Sequence, residues 1–225
     1  MPHAPHAPRT PEPGSDAALW HTALGQAFQA LDEEAAGQLL DCCLADMGVE
    51  ATLRDVITPL MRAIGQDWAD GIVSVAQEHF ATQAVRARLT TLARGWSAGE
   101  GPVAWLACPP AELHDLPLFS FGIALHRGGW RVRFFGAHTP VHDLVALAKV
   151  TPPDLVVLAS TTTRGLTSRR WELTQLARLA PVAVAGAGAS WAFADAIGGQ
   201  YLDGDPVSAA IDVVQRARLA RSEAS

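Results

Sequence analysis

Apolar positions change their spacing about 100 residues into the chain, and that change divides it into two kinds of structure. From Ser15, a candidate N-cap followed by Asp16, Trp20, Leu24, Ala27, Phe28 and Leu31 fall on one face of a helix. A second amphipathic segment follows at about 34–46. A third, at about 50–69, stacks Leu53, Val56, Ile57, Leu60, Ile64 and Trp68 at i, i+3 and i+4 spacing, and Gly71 ends it. Ser74 opens a fourth, carrying Ala76, Phe80, Ala84, Leu89 and Leu92. Short joints between four such segments predict a four-helix bundle over 15–96. Residues 94–102 interrupt the pattern with glycines and a proline and read as a linker.

Beyond the linker, short apolar runs at 103–108, 130–136, 155–160, 181–185 and 200–203 alternate with helical patterns at about 118–128, 141–150, 169–179, 191–197 and 206–220. Runs such as Leu155-Val156-Val157-Leu158-Ala159 are apolar throughout, as strands covered on both faces are. The expectation for 102–221 is a doubly wound, parallel, five-stranded α/β sheet of the flavodoxin-like kind. Residues 1–14, proline-rich and aperiodic, with His3 and His6, read as a disordered tail.

Composition narrows the function. Net charge is −6 and the one lysine is Lys149, which argues against a surface built to neutralise phosphates and so against direct nucleic-acid binding. No run of about 18 uncharged apolar residues could span a bilayer, no secretory leader is visible, and Cys42, Cys43 and Cys108 form no disulfide framework. A cytoplasmic protein without membrane contacts is expected. CxxC, Walker and GxSxG signatures are missing, and no catalytic residue is singled out, so a non-enzyme is expected.

Three predicted strand ends carry polar residues at the side of the sheet where ligands bind. The first is Glu112-Leu113-His114-Asp115-Leu116-Pro117, in which an imidazole flanked by two carboxylates can offer a neutral nitrogen to a metal, with one carboxylate fixing its tautomer. A histidine capping a helix would look the same in isolation. The second is Ser160 and Thr162, suited to a polar ligand edge or to capping the next helix. The third is Gly186-Ala187-Gly188, where backbone can approach a ligand or make a tight turn. In the bundle, Trp68 near the end of the third helix and Glu78-His79 in the fourth could form a lid, although singly the tryptophan reads as core and the pair as surface.

Together these elements resemble the cobalamin-binding module of the methionine synthase type, a four-helix cap followed by a flavodoxin-like domain. That family's DxHxxG…SxL…GG pattern maps onto Glu112-x-His114-x-x-Pro117, Ser160-x-Thr162 and Ala185-Gly186. The resemblance implies that His114 replaces dimethylbenzimidazole as the lower ligand of cobalt, with the nucleotide tail beside Ser160, Thr162, Gly186 and Gly188. The spacing from Trp68 to Glu78 and His79 further resembles the CarH group of light-sensing cobalamin regulators, in which those residues cover the adenosyl face of adenosylcobalamin. Two departures stand out: no helix-turn-helix precedes the bundle in this sequence, and Ala69 follows Trp68 where members often have a histidine. The resemblance implies a photoreceptor that signals through self-association or a protein partner; the alternative is a corrinoid methyl carrier serving methyltransferases. His126, His138 and His142 with Trp105, Trp130, Trp171 and Trp191 exceed what cobalamin requires, and some relatives called photocobilins also hold a bilin.

Overall fold

The computed structural model describes residues 9–223, and the histidines of the tail lie outside them. The chain divides into two compact units, 1–92 and 93–225. Residues 9–14 contain no helix or strand, but Gly14 N–H donates to Asp46 Oδ1 (2.7 Å), so the end of the leader is fastened to the second helix.

Unit one contains α1 (Ala17–Gln29), α2 (Glu33–Met47), α3 (Val49–Ala51) running through a π-helical stretch (Thr52–Ile57) into α4 (Thr58–Ala69), and α5 (Val75–Leu92). Asp16, not Ser15, caps α1, its carboxylate accepting from Ala18 N–H (3.1 Å). Leu31 has left the helix at φ 54° and is exposed, so the buried stripe is Trp20, Ala23, Leu24, Ala27 and Phe28. The third segment is not uniformly α-helical. Pro59 has no N–H to donate to Asp55, and Thr58 supplies five-residue contacts instead, its N–H and Oγ1 both reaching the Leu53 carbonyl. Ser74 and Gln77 form the reciprocal cap that starts α5. The fully buried stripe of α5 is Ala81, Val85 and Leu89; Phe80 and Ala84 flank it half-buried and Ala76 is exposed.

Unit two alternates strand and helix: β1 (Val103–Ala107), α6 (Leu116–Arg127), β2 (Arg131–Gly136), α7 (Val141–Val150), β3 (Leu155–Ala159), α8 (Thr163–Thr167), α9 (Arg170–Ala177), β4 (Val182–Ala185), α10 (Trp191–Ile197), β5 (Gln200–Tyr201) and α11 (Pro206–Glu223). All pairings are parallel, in the order β2-β1-β3-β4-β5. The fold is therefore flavodoxin-like, with the reversal of strand order between β1 and β3. The strand expected at 200–203 is limited to two residues, and the helix expected at 169–179 is α9, preceded across Ser168 and Arg169 by the short additional helix α8.

Trp105, Val156, Leu158, Val182 and Val184 pack under α7, α9 and α10. The opposite face is covered by α6, itself packed on α11. Apart from Pro117, every residue of α6 from Leu116 to Leu125 is buried, as its all-round apolar sequence requires. The linker is not a free connector. Trp96 stacks 4.9 Å from Phe119 and 5.7 Å from Phe134, and its carbonyl accepts from Val132 N–H. No helix among the described residues is long and apolar enough to cross a membrane.

Leu158 is fully buried at the centre of this core. Leu158→Ala is expected to lower unfolding free energy by about 2–5 kcal/mol, measured by urea titration, whereas Leu147→Ala, at a half-exposed position, should cost far less.

Candidate functional site

Parallel strands place the loops after β1 and β3 side by side at the reversal point, where a ligand crevice forms outside the strand ends. The loop after β1 carries Glu112 and His114. Glu112 is 4% exposed, and its carboxylate is fully engaged. Oε1 lies 2.7 Å from His114 Nδ1 and accepts from His114 N–H at 3.0 Å. Oε2 accepts from Thr161 N–H (2.6 Å) and Thr161 Oγ1 (2.7 Å), and Ser160 Oγ stands 3.1 Å away. Burial alone would raise the carboxyl pKa, but the donors from Thr161 and His114 outweigh it and hold Glu112 at about 2. At neutral pH it is a carboxylate, so the shared proton sits on His114 Nδ1.

That assignment defines the imidazole. In the neutral ring with Nδ1–H donated inward, the lone pair is on Nε2, and the side chain is 65% exposed. A neutral imidazole oriented by a carboxylate is a good ligand for a borderline metal such as cobalt. Among the described residues, no group of three or more His, Cys, Asp or Glu side chains gathers to hold a bare ion. One imidazole suits a metal whose remaining positions are filled by its own macrocycle, and in that sense these residues fit a corrinoid. Cys108, at the end of β1, does not compete: burial, with Asp115 and Glu112 nearby, pushes its thiol up to about 12, leaving it protonated.

Asp115 and Leu116 are buried, and Pro117 occupies the first turn of α6, where a missing N–H costs nothing. Asp115 Oδ2 packs towards Gly136, 3.5 Å from where a Cβ there would stand. Thr162 caps α8, accepting from Gly165 N–H through Oγ1 (3.2 Å), and Ser160 Oγ is turned to Glu112 and the Thr162 carbonyl. Gly186 and Gly188 let the β4 loop close onto the β3 loop: a Cβ on Gly188 would lie 2.2 Å from Thr162 C and O, and one on Gly186 2.5 Å from Ser160 O. Gly188 N–H donates to Ser160 O (2.9 Å).

In unit one, Trp68 is 47% exposed and belongs to the surface, not the core. With Ile72 and Val75 it gives the turn between α4 and α5 an exposed apolar character. Glu78 accepts from Thr82 Oγ1 (2.8 Å), and its other oxygen lies 3.6 Å from the exposed ring of His79. Trp105 and Trp130 are buried and His126 Nδ1 meets the Trp130 carbonyl at 2.9 Å, while Trp171 and Trp191 stand exposed. Sequence reasoning passed over Thr161, which gives Glu112 two donors; its signal was the run of hydroxyl residues at the end of a buried strand.

The family model described as the B12 binding domain matches residues 20–93, nearly the whole of unit one. The chain is 33% identical over 165 residues to the HTH-type transcriptional repressor CarH of Myxococcus xanthus, covering 73% of this chain and 55% of that protein. It is 37% identical over 131 residues to the HTH-type transcriptional repressor CarA of the same organism, covering 58% and 44%. It thus spans about half the length of these curated relatives. Its fold is that of the monomethylamine corrinoid protein of Methanosarcina barkeri, at a TM-score of 0.73 and 15% identity over 89% of this chain and 99% of that one. Residues 20–93 thus match the B12 binding domain, and the chain is similar to the CarH and CarA repressors.

Glu112→Gln keeps the shape but puts an amide among donors that need a carboxylate. It should destabilise the apoprotein by about 2–3 kcal/mol at pH 7. The folded pKa lies below the ordinary 4.5, so this contribution is full above that value and is lost as pH falls towards about 2. Wild-type and variant denaturation midpoints, measured down that range, should converge.

Proposed function

We propose that the chain is a cobalamin-dependent light sensor: it takes adenosylcobalamin with His114 as lower ligand, and photolysis changes its assembly with copies of itself or with a protein partner. The observation that carries the cobalamin part is the His114 imidazole, held by Glu112 at 2.7 Å with its second nitrogen exposed. Its place at the strand-order reversal and the B12 binding domain match over 20–93 support the same reading. The similarity to CarH and CarA, with the Trp68, Glu78 and His79 spacing, supports the adenosyl form and the response to light.

When bound, cobalamin would supply a cobalt that takes a nitrogen ligand and, in its adenosyl form, a photolabile cobalt–carbon bond. His114 would hold the cobalt through Nε2, and Glu112, accepting the proton of Nδ1, fixes the tautomer and the direction of the ring. Trp68 offers an exposed indole, and Glu78 and His79 offer polar groups, for covering an upper substituent. Loss of a bulky substituent would take away packing that Trp68 could make with it, and packed surfaces switch between arrangements rather than deform gradually. Ala69 provides no imidazole to occupy the vacated position, so the lit state is expected to differ from one in which a second histidine takes the metal.

Reconstitution with adenosylcobalamin in darkness, followed by illumination, should change both the visible spectrum and the gel-filtration volume. Preference for methylcobalamin with no light-linked change in size would instead identify a methyl carrier. His114→Ala should weaken cobalamin binding by at least about tenfold, read by equilibrium dialysis. Trp68→Ala should reduce the preference for the adenosyl over the methyl form; a wild type that binds both equally would remove Trp68 from this role.

A further inference from the structure

The loop that carries His114 is held from a second side. Ala111 N–H donates to His138 Nδ1 (3.0 Å), and His138 N–H donates to the Glu112 carbonyl (3.0 Å). The same pair of loops is joined by Cys108 N–H to Gly136 O (2.8 Å) and Thr139 N–H to Cys108 O (2.9 Å). Ala111 and His138 both lie in the left-handed region, at φ 69° and 54°. Side chains other than glycine rarely adopt that conformation unless their surroundings compel it. Two residues in this conformation, of which histidine is among the side chains that enter it more readily, are thus bonded to one another's loops. An N–H arriving at Nδ1 requires His138 to be neutral with its proton on Nε2, the opposite tautomer to that of His114.

We propose that His138 is a positioning residue for the cobalt ligand: it clamps the backbone on both sides of Glu112 and so fixes where Oε1 meets the His114 ring and where Nε2 points. The proposal rests on the reading of His114 as that ligand. A turn residue chosen only for its backbone could as well be glycine; what glycine lacks is the acceptor for Ala111 N–H. Asparagine supplies both, because it tolerates the left-handed region and its Oδ1 is as many bonds from the backbone as Nδ1.

The test compares His138→Gly, His138→Asn and His138→Ala in the full chain with wild type and His114→Ala. Protein is labelled with the heavy nitrogen isotope in histidine and loaded with hydroxocobalamin reduced to the cobalt(II) state. The superhyperfine pattern in its EPR spectrum then separates a protein imidazole, a doublet, from the vitamin's own base, a triplet. His138→Asn should match wild type in the doublet and in affinity. His138→Gly should bind roughly tenfold more weakly, at the lower end of what loss of an outer-sphere partner costs, with an incomplete doublet and an apoprotein melting point close to that of His138→Asn. If His138→Ala fails to fold, the glycine and asparagine variants still decide. A full doublet and wild-type affinity in His138→Gly, or a defect in His138→Asn as large as in His138→Gly, overturns the positioning role. Persistence of the doublet in His114→Ala overturns the ligand assignment instead, whatever the variants at 138 do.

Discussion

The structure of the sheet unit's ligand end depends on one buried charge. A carboxylate removed from water is costly unless donors replace its hydration, and Glu112 is supplied with them from its own loop and from the loop after β3. Neither loop can move without stranding that charge. The backbone of the same residue is tied to the loop after β2 through His138, so three strand ends meet at one position. The fourth, after β4, is closed onto the third by glycines at 186 and 188. His114 is exposed, yet it stands on a loop cross-linked to two others, the condition under which a ligand's direction is set before anything binds.

The two units answer to different physics. The sheet is held by its inner strands β1, β3 and β4, which are apolar throughout and buried on both faces, and the residues of the candidate site lie in the loops at one end. The helical unit leaves Trp68, Ile72 and Val75 uncovered at the turn between α4 and α5.

Much of this was legible in the residues. Unbroken apolarity at 155–159 and 182–185 dictated parallel strands, and strand alternation with helices dictated the winding. Glu112 and His114 stand close enough in sequence that their pairing was local. What was not legible depended on partners distant in sequence. Thr161 owes its role to a carboxylate 49 positions earlier, and His138 to a backbone N–H 27 positions earlier. Pro59 could have announced the π-helical turn, since a residue without an N–H inside a helical pattern must be accommodated somewhere. The stripe on α5 was misread because Ala76 and Phe80 obey the same spacing as the residues that are truly buried.

The seating of Trp96 bears on how the chain can be cut. β2 is the outermost strand on its side, and its Val132 N–H would face solvent were it not taken by the Trp96 carbonyl, with the indole laid over Phe119 and Phe134. Outermost strands with unclaimed N–H groups recruit strands from neighbouring molecules and seed aggregates. A fragment of the sheet unit begun after residue 96 would lose this cover and be prone to self-templated precipitation, whereas one begun at Ala93 would keep its own bumper.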